Sequence, residues 1–402
     1  QGAADERRPG PPTPSMSGPG GGATVAAPQE AQGAASGSAP SRGPPPGGGT
    51  PERRASAPPT LDEGDEEPAE NLSPRSRTYT EGLNSGQKST TRVVSLCQAL
   101  QYGVHSIQGL RPEMEDAHRV VLDVHRPATP SGDDGQATSP ASPALLGVGK
   151  ALGHMSFFGV FDGHGGSQAA EFSSERMYSL LAQDFNRLVA DPLEALRDAI
   201  VRTEEQWTEA ALRDELFDGT TAAVVVLDRR KGLCVVGNVG DSEVILGTRT
   251  RAGETRLEVL TEVHRVKGNE KEAARVEELG GRVWRGRLAH PKINPKIASL
   301  AVSRAIGDIF FKHKDFTCGR VSGLTAEPHV TSCQVRGGEV AEQFLILGCD
   351  GFWDTVTYEQ ALGKVLELLD AGEDAQSISE VLVRRAHEAG STDNITVIVV
   401  VL

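Results

Sequence analysis

Short apolar runs rich in β-branched residues recur from residue 102 to the end of this chain. They read as strands over 102–107, 119–124, 155–161, 221–227, 233–237, 243–246, 344–348 and 395–402. A different spacing governs 167–188 and 192–212, where apolar side chains return every three or four positions. In the second segment Leu193, Leu196, Ile200 and Trp207 fall on one helical face, and Pro192 suits a first turn. Segments 361–369 and 378–389 also read as helices. Strand follows strand from 221 to 246 with no helix between, which favours antiparallel pairing over a doubly wound parallel sheet. The expected fold is therefore α+β: two antiparallel sheets packed as a sandwich, with helices on the outer faces.

Composition changes the picture at the N-terminal end. Of the 402 residues 38% are hydrophobic, and Gly and Pro, 46 and 24 in the whole chain, are unevenly spread and crowd together in the first sixty positions or so. Residues 1–95 hold hardly any apolar run and cannot bury enough surface to offset their ordering entropy. A disordered tail over 1–95 and a folded domain over 96–402 are expected. The Pro/Ser/Gly/Ala-rich stretch 127–153 reads as a loop inserted between two strands.

The formal net charge is −14, and with 11 acidic and 9 basic side chains in residues 1–95, about −12 belongs to the rest. Such a surface argues against nucleic acid as a partner. Cys97, Cys234, Cys318, Cys333 and Cys349 form no Cys-x-x-Cys pair and none has Arg six positions on. A disulfide framework, a zinc ribbon and a cysteine-phosphatase loop are thereby disfavoured, and a reducing cytoplasmic or nuclear compartment is expected. The longest apolar run, 395–402, is too short to span a bilayer.

The candidate chemistry lies at strand ends. Asp162-Gly163-His164-Gly165-Gly166 closes the run 157–161, Cys349-Asp350-Gly351 closes 345–348, and Asp393-Asn394 opens 395–398. One Asp-Gly pair is an ordinary turn. Carboxylates placed repeatedly where strands end point instead to oxygen ligands for Mg²⁺ or Mn²⁺.

Read in order, the runs Arg111–His118, Asp162–Gly166, Asn238–Ser242, Leu300–Asp308, Cys349–Asp354 and Asp393–Thr396 resemble the signature series of the metal-dependent, type 2C protein serine/threonine phosphatases. The resemblance covers about three quarters of the chain, from 102 to 402. It implies hydrolysis of phosphoserine and phosphothreonine in phosphoproteins by a metal-bridged hydroxide, without a covalent phosphoenzyme. It implies that Asp162 bridges two ions, that Asp350 and Asp393 complete one, and that Glu115 and the carbonyl of Gly163 complete the other. Asp241 would help hold a looser third ion shared with Asp350 and Asp354. Arg111 would grip the phosphate, His164 would protonate the leaving oxygen, and Asp116 would support the site from behind. Charge counting favours two ions, since four carboxylates balance two dications. At ~4 Å and an effective dielectric of ~20 the ions repel by roughly 17 kcal/mol, so those carboxylates are needed.

The chain departs from the family pattern where Glu243 replaces Arg after the Gly-Asp-Ser turn, and where Val263 and Val266 flank His264 and Arg265 in place of Asp and Pro. The first change places third-ion affinity in question. Asp308 reads as a cap or loop anchor, Cys349 as packing, and His118 and His264 as structural. Segment 310–328 corresponds to the family's variable flap, and its Lys312, His313 and Lys314 are expected to meet the phosphoprotein. In the tail, Arg53-Arg54-Ala55-Ser56 and Ser73-Pro74 look like kinase sites, so a kinase or docking partner is expected there. The competing reading is a catalytically silent scaffold on the same fold. A nucleotide-binding enzyme is disfavoured because no Gly-x-x-x-x-Gly-Lys-Ser/Thr loop occurs.

Overall fold

The strand Met155–Phe161 is buried at every position, and its alternation explains how the layers form. Phe157 and Phe161 point to one face, where Met177, Leu196 and Ile200 of two helices cover them. Phe158 and Val160 point to the other face and meet Leu345, Leu347, Ile398 and Val400 of a second sheet. A strand covered on both faces reads as a continuous apolar run rather than as an alternating one. Each such side chain contributes about 1.5–3 kcal/mol when fully withdrawn from water.

The computed structural model describes residues 100–125, 154–335 and 339–402. The tail 1–95, its kinase-like motifs, Cys97 and the insertion 127–153 lie outside the described residues. The first sheet runs His329–Gln334, Leu233–Val239, Ala222–Asp228, Met155–Phe161, Ala117–Val121. The second runs Gln101–Ile107, Ile395–Val401, Val340–Gly348, Glu243–Thr250, Thr255–Val259. All neighbours in both sheets are antiparallel. Helices Gln168–Gln183 and Pro192–Asp214 cover the first sheet, and Tyr358–Asp370 and Ala375–Glu388 cover the second. The α+β sandwich with outer helices is the architecture expected from the pattern. Among the described residues, no helix is long and apolar enough to cross a membrane.

Two edge strands escape the pattern because edges need no apolar run. Thr255–Val259 is exposed at four of its five positions, and His329–Gln334 is at most half-buried. The helix expected over 167–188 instead breaks at Asp184, giving Gln168–Gln183 and Phe185–Ala190. Asp191 caps the next helix by accepting from the Glu194 amide, with Pro192 in its first turn.

A small three-stranded ladder sits at one end of the sandwich. It joins Ile306–Gly307, Gly219–Thr220 and Gly163–His164. It fixes the residue after Gly307 beside His164.

Candidate active site

Both sheets deliver carboxylates to that same end. Asp162 follows Met155–Phe161, Asp241 lies in the turn between Leu233–Val239 and Glu243–Thr250, and Asp350 follows Val340–Gly348. Asp393 precedes Ile395–Val401, which pairs with Val340–Gly348 and so places its start beside Asp350. Carboxylate oxygens of Asp162, Asp241 and Asp350 lie within 4.8 Å of one another, and a second such group joins Asp116, Asp162 and Cys349. A cavity of about 250 Å³ is lined by Arg111, Asp162, His164, Asp241, Asp350 and Asp393, among others.

Crowding governs the electrostatics. Burial first, then the charges of Asp350, Asp116 and Asp241, pushes Asp162 well above the usual carboxylate range. Burial and then Asp241 raise Asp350 to about 7, and burial raises Asp116 to about 6. Asp116 accepts from the Thr396 hydroxyl at 2.7 Å through one oxygen, while Oδ1 is buried without a protein partner. Such a set binds protons too readily because the chain supplies too little positive charge. Hard divalent cations with oxygen ligands fit it.

The backbone is shaped for close approach. A Cβ at Gly163 would collide with the Glu115 carbonyl oxygen, so only glycine lets these two segments meet. The Glu115 amide donates to Asn394 Oδ1 at 2.8 Å, and Asn394 Nδ2 donates to the carbonyls of Gln108 and Glu113 at 2.8 and 3.0 Å. Asn394, to which the sequence assigned no role, thus fastens the 108–115 loop to the strand end. Glu115 belongs to neither close carboxylate group among the described residues.

Arg111 and Asp393, expected to act separately, form an ion pair at 2.5 Å. His164 and Asp308 form another: His164 Nε2 lies 2.8 Å from Asp308 Oδ2. Burial alone would lower the imidazole's pKa, but Asp308 outweighs it and holds His164 above its ordinary value. Of the two readings of Asp308, cap or loop anchor, this sets aside the cap. It does precede the short helix Ile309–Lys312, but its side chain makes no capping bond and is turned to the histidine. A side chain at Gly219 would fill the space where the pair meets.

Arg265, which no motif singled out, reaches all three carboxylates assigned to a third ion. Its Nε donates to Asp241, Nη2 to Asp350 at 2.8 Å and Nη1 to Asp354 at 2.8 Å. Glu243 does not share in this: its carboxylate accepts from the Tyr358 hydroxyl at 2.5 Å and its carbonyl accepts from Trp353. His264 is wholly buried, and burial lowers it to about 3, in keeping with a structural part. Cys349 is likewise buried, and burial pushes its thiol well above the ordinary value.

The flap departs from expectation at Lys312. Its ammonium is bonded to Glu204 and the Ala305 carbonyl, both at 2.7 Å, so it is already paired within the fold. Phe217, Phe310, Phe311 and Phe316 instead line a second cavity of about 580 Å³ that shares His164 with the first. Arg287 also reaches the first cavity, a placement without a local sequence signal, because the chain folds back through Arg287–Ala289 and Ser299–Leu300.

The sequence model of the protein phosphatase 2C family matches residues 100–395. The chain belongs to the protein phosphatase 2C family. "Protein phosphatase 2C homolog 2" of Aspergillus flavus is 32% identical over 305 residues, which cover 74% of this chain and 63% of that protein. "Protein phosphatase 1E" of Mus musculus is 35% identical over 302 residues, covering 74% of this chain and 34% of that protein. The chain thus spans less than two thirds of these relatives' lengths. Among solved structures, the serine-threonine phosphatase 2C from Toxoplasma gondii superposes with a TM-score of 0.55 at 22% identity, covering 75% of this chain and 95% of that one. That likeness shows that the chain has the protein phosphatase 2C fold.

Proposed function

We propose that the chain hydrolyses phosphoserine and phosphothreonine esters of phosphoproteins, using Mg²⁺ or Mn²⁺. The observation that carries this reading is the meeting, in one cavity, of crowded carboxylates, an arginine and a histidine paired to a buried aspartate. Two ions would be held by Glu115, Asp162, the Gly163 carbonyl, Asp350 and Asp393. When bound, ions of this kind make water a nucleophile near neutral pH and neutralise the phosphoryl oxygens.

The side chains do the rest. Arg111 is half exposed and uses one amino group on Asp393, which leaves further N–H donors for the phosphate. Asp308 occupies His164 Nε2, so the proton given to the leaving oxygen comes from Nδ1. Serine and threonine leave as strongly basic alkoxides and need that proton. Cys349, with its thiol held protonated, is no nucleophile, in keeping with direct attack by water.

The test is phosphate release from a phosphothreonine peptide with Mn²⁺ or Mg²⁺. Turnover is expected with either ion and is expected to vanish in EDTA. Full turnover in EDTA would overturn the proposal.

A further inference from the structure

A resemblance to type 2C phosphatases implies a third ion among Asp241, Asp350 and Asp354, yet a guanidinium joins these three carboxylates. Each of its nitrogens takes a different one: Nε takes Asp241, Nη2 takes Asp350 Oδ2 and Nη1 takes Asp354 Oδ1. The planar fork of arginine presents its donors along fixed directions, so one side chain can serve three acceptors.

The arginine is also held there by its backbone. Arg265 pairs with Val302 in an isolated bridge. The neighbouring His264 accepts from the Gly240 amide through Nδ1 at 3.1 Å, and its own amide donates to the Gly240 carbonyl at 3.0 Å. The Ser303 amide donates to the His264 carbonyl at 2.8 Å. The segment is thereby fastened to the turn that carries Asp241, and the side chain of Arg265 is only 23% exposed. Holding the base of the side chain reduces the entropy lost in ordering its guanidinium.

We propose that Arg265 is a built-in cation that replaces a third metal ion, so that this chain binds two divalent ions rather than three. The inference rests on the two-ion reading above. The arginine takes only Oδ2 of Asp350, which leaves Oδ1 to that pair of ions. Arg265 touches no reacting atom; it is a positioning residue that fixes Asp241 and Asp350 whatever the ion concentration.

Titration calorimetry of the chelator-treated full chain with Mn²⁺ tests this. Two ions are expected for the unaltered chain and three for Arg265→Ala, the additional one lost again in Arg265→Ala/Asp354→Asn. Asp354 is 57% exposed, so Asp354→Asn alone is a safe companion that is expected to keep the count at two. Three ions in the unaltered chain, falling to two in Asp354→Asn, would overturn the arginine proposal and leave the two-ion reading intact. A count of two in both the unaltered chain and a folded Arg265→Ala would also overturn it. Fewer than two in the unaltered chain would overturn both readings. Should Arg265→Ala fail to fold, the Asp354→Asn comparison decides alone.

Discussion

The corner around Glu272 and the strand ends around Asp162 both withdraw carboxylates from water, and they treat them oppositely. Glu272 accepts from Arg304 at 2.7 Å, from Arg275 at 2.9 Å and from the Ser303 hydroxyl at 2.6 Å. Burial would raise its pKa, but bonds from Arg304, Arg275 and Ser303 bring it down to about 2. At Asp162 burial acts together with Asp350, Asp116 and Asp241, and the pKa is driven up. Buried charges persist when they are paired or bound to metal. The chain completes the first arrangement from its own arginines; in the second, Arg265 reaches Asp241 and Asp350, but Asp162 stays among like charges. Burial alone does not separate the two kinds of acid; their neighbours in space do.

Removing the charge at Asp162 should produce the largest effect. In the ion-free protein Asp162→Asn relieves repulsion, so the melting temperature should hold or rise, while kcat/KM falls by about 10⁴-fold or more, ~5 kcal/mol of transition-state stabilisation. The stabilisation that Mn²⁺ gives the unaltered chain, about 2.7 kcal/mol at a hundred times the dissociation constant, should be largely lost. Melting curves with and without Mn²⁺ measure both. A variant that is less stable than the parent without ions would erase the contrast, because Asp162 would then be a satisfied structural acid.

Glu272→Gln should do the reverse. It leaves the guanidinium groups of Arg275 and Arg304 without their anion, and the displacement from 4.5 to about 2 corresponds to about 3 kcal/mol of stability. For a domain of this size that lowers the melting temperature by roughly 5 °C. The sign follows from a depressed folded-state pKa. The contribution is complete above about 4.5 and is lost as pH falls toward 2, because the unfolded chain takes up the proton first. Melting temperatures of parent and variant should therefore differ at pH 7 and converge below pH 4. A constant gap across that range would show that Glu272 acts through packing alone.

The sandwich was legible because its central strands are covered on both faces and so announce themselves as apolar runs. The edge strands Thr255–Val259 and His329–Gln334 were not, since an exposed edge imposes no such pattern. At the site, Asp162, Asp241 and Asp350 come together and Asp393 lines the same cavity, while Glu115 joins neither close group among the described residues. What stayed hidden were relations between side chains far apart in sequence. Arg265 meets Asp354 across 89 positions and His164 meets Asp308 across 144. No local periodicity reports such pairs. Asn394 stood in a recognised motif, but its bonds to the 108–115 loop follow only from the fold.

Asp308 falls between the two extremes, a buried carboxylate whose side-chain partner can itself lose a proton, and it gives the smallest predicted effect. Asp308→Asn keeps a group of the same shape at His164 Nε2 but removes the charge that holds the imidazole above its ordinary pKa. Less His164 then carries a proton at neutral pH. A general acid acts only while protonated, so the falling limb of the kcat profile should move to lower pH, the direction in which the histidine's pKa moves. Phosphothreonine-peptide turnover at pH 7.5 should fall by about tenfold, less than the roughly 10²–10⁴-fold expected of His164→Gln, which removes the acid outright. p-Nitrophenyl phosphate has a far less basic leaving group and should be nearly spared. Measuring kcat against pH for both substrates separates the roles. Equal slowing of the two with an unmoved limb would mean that Asp308 only anchors its loop. A limb displaced toward acid for the peptide alone would place Asp308 behind the proton that His164 donates.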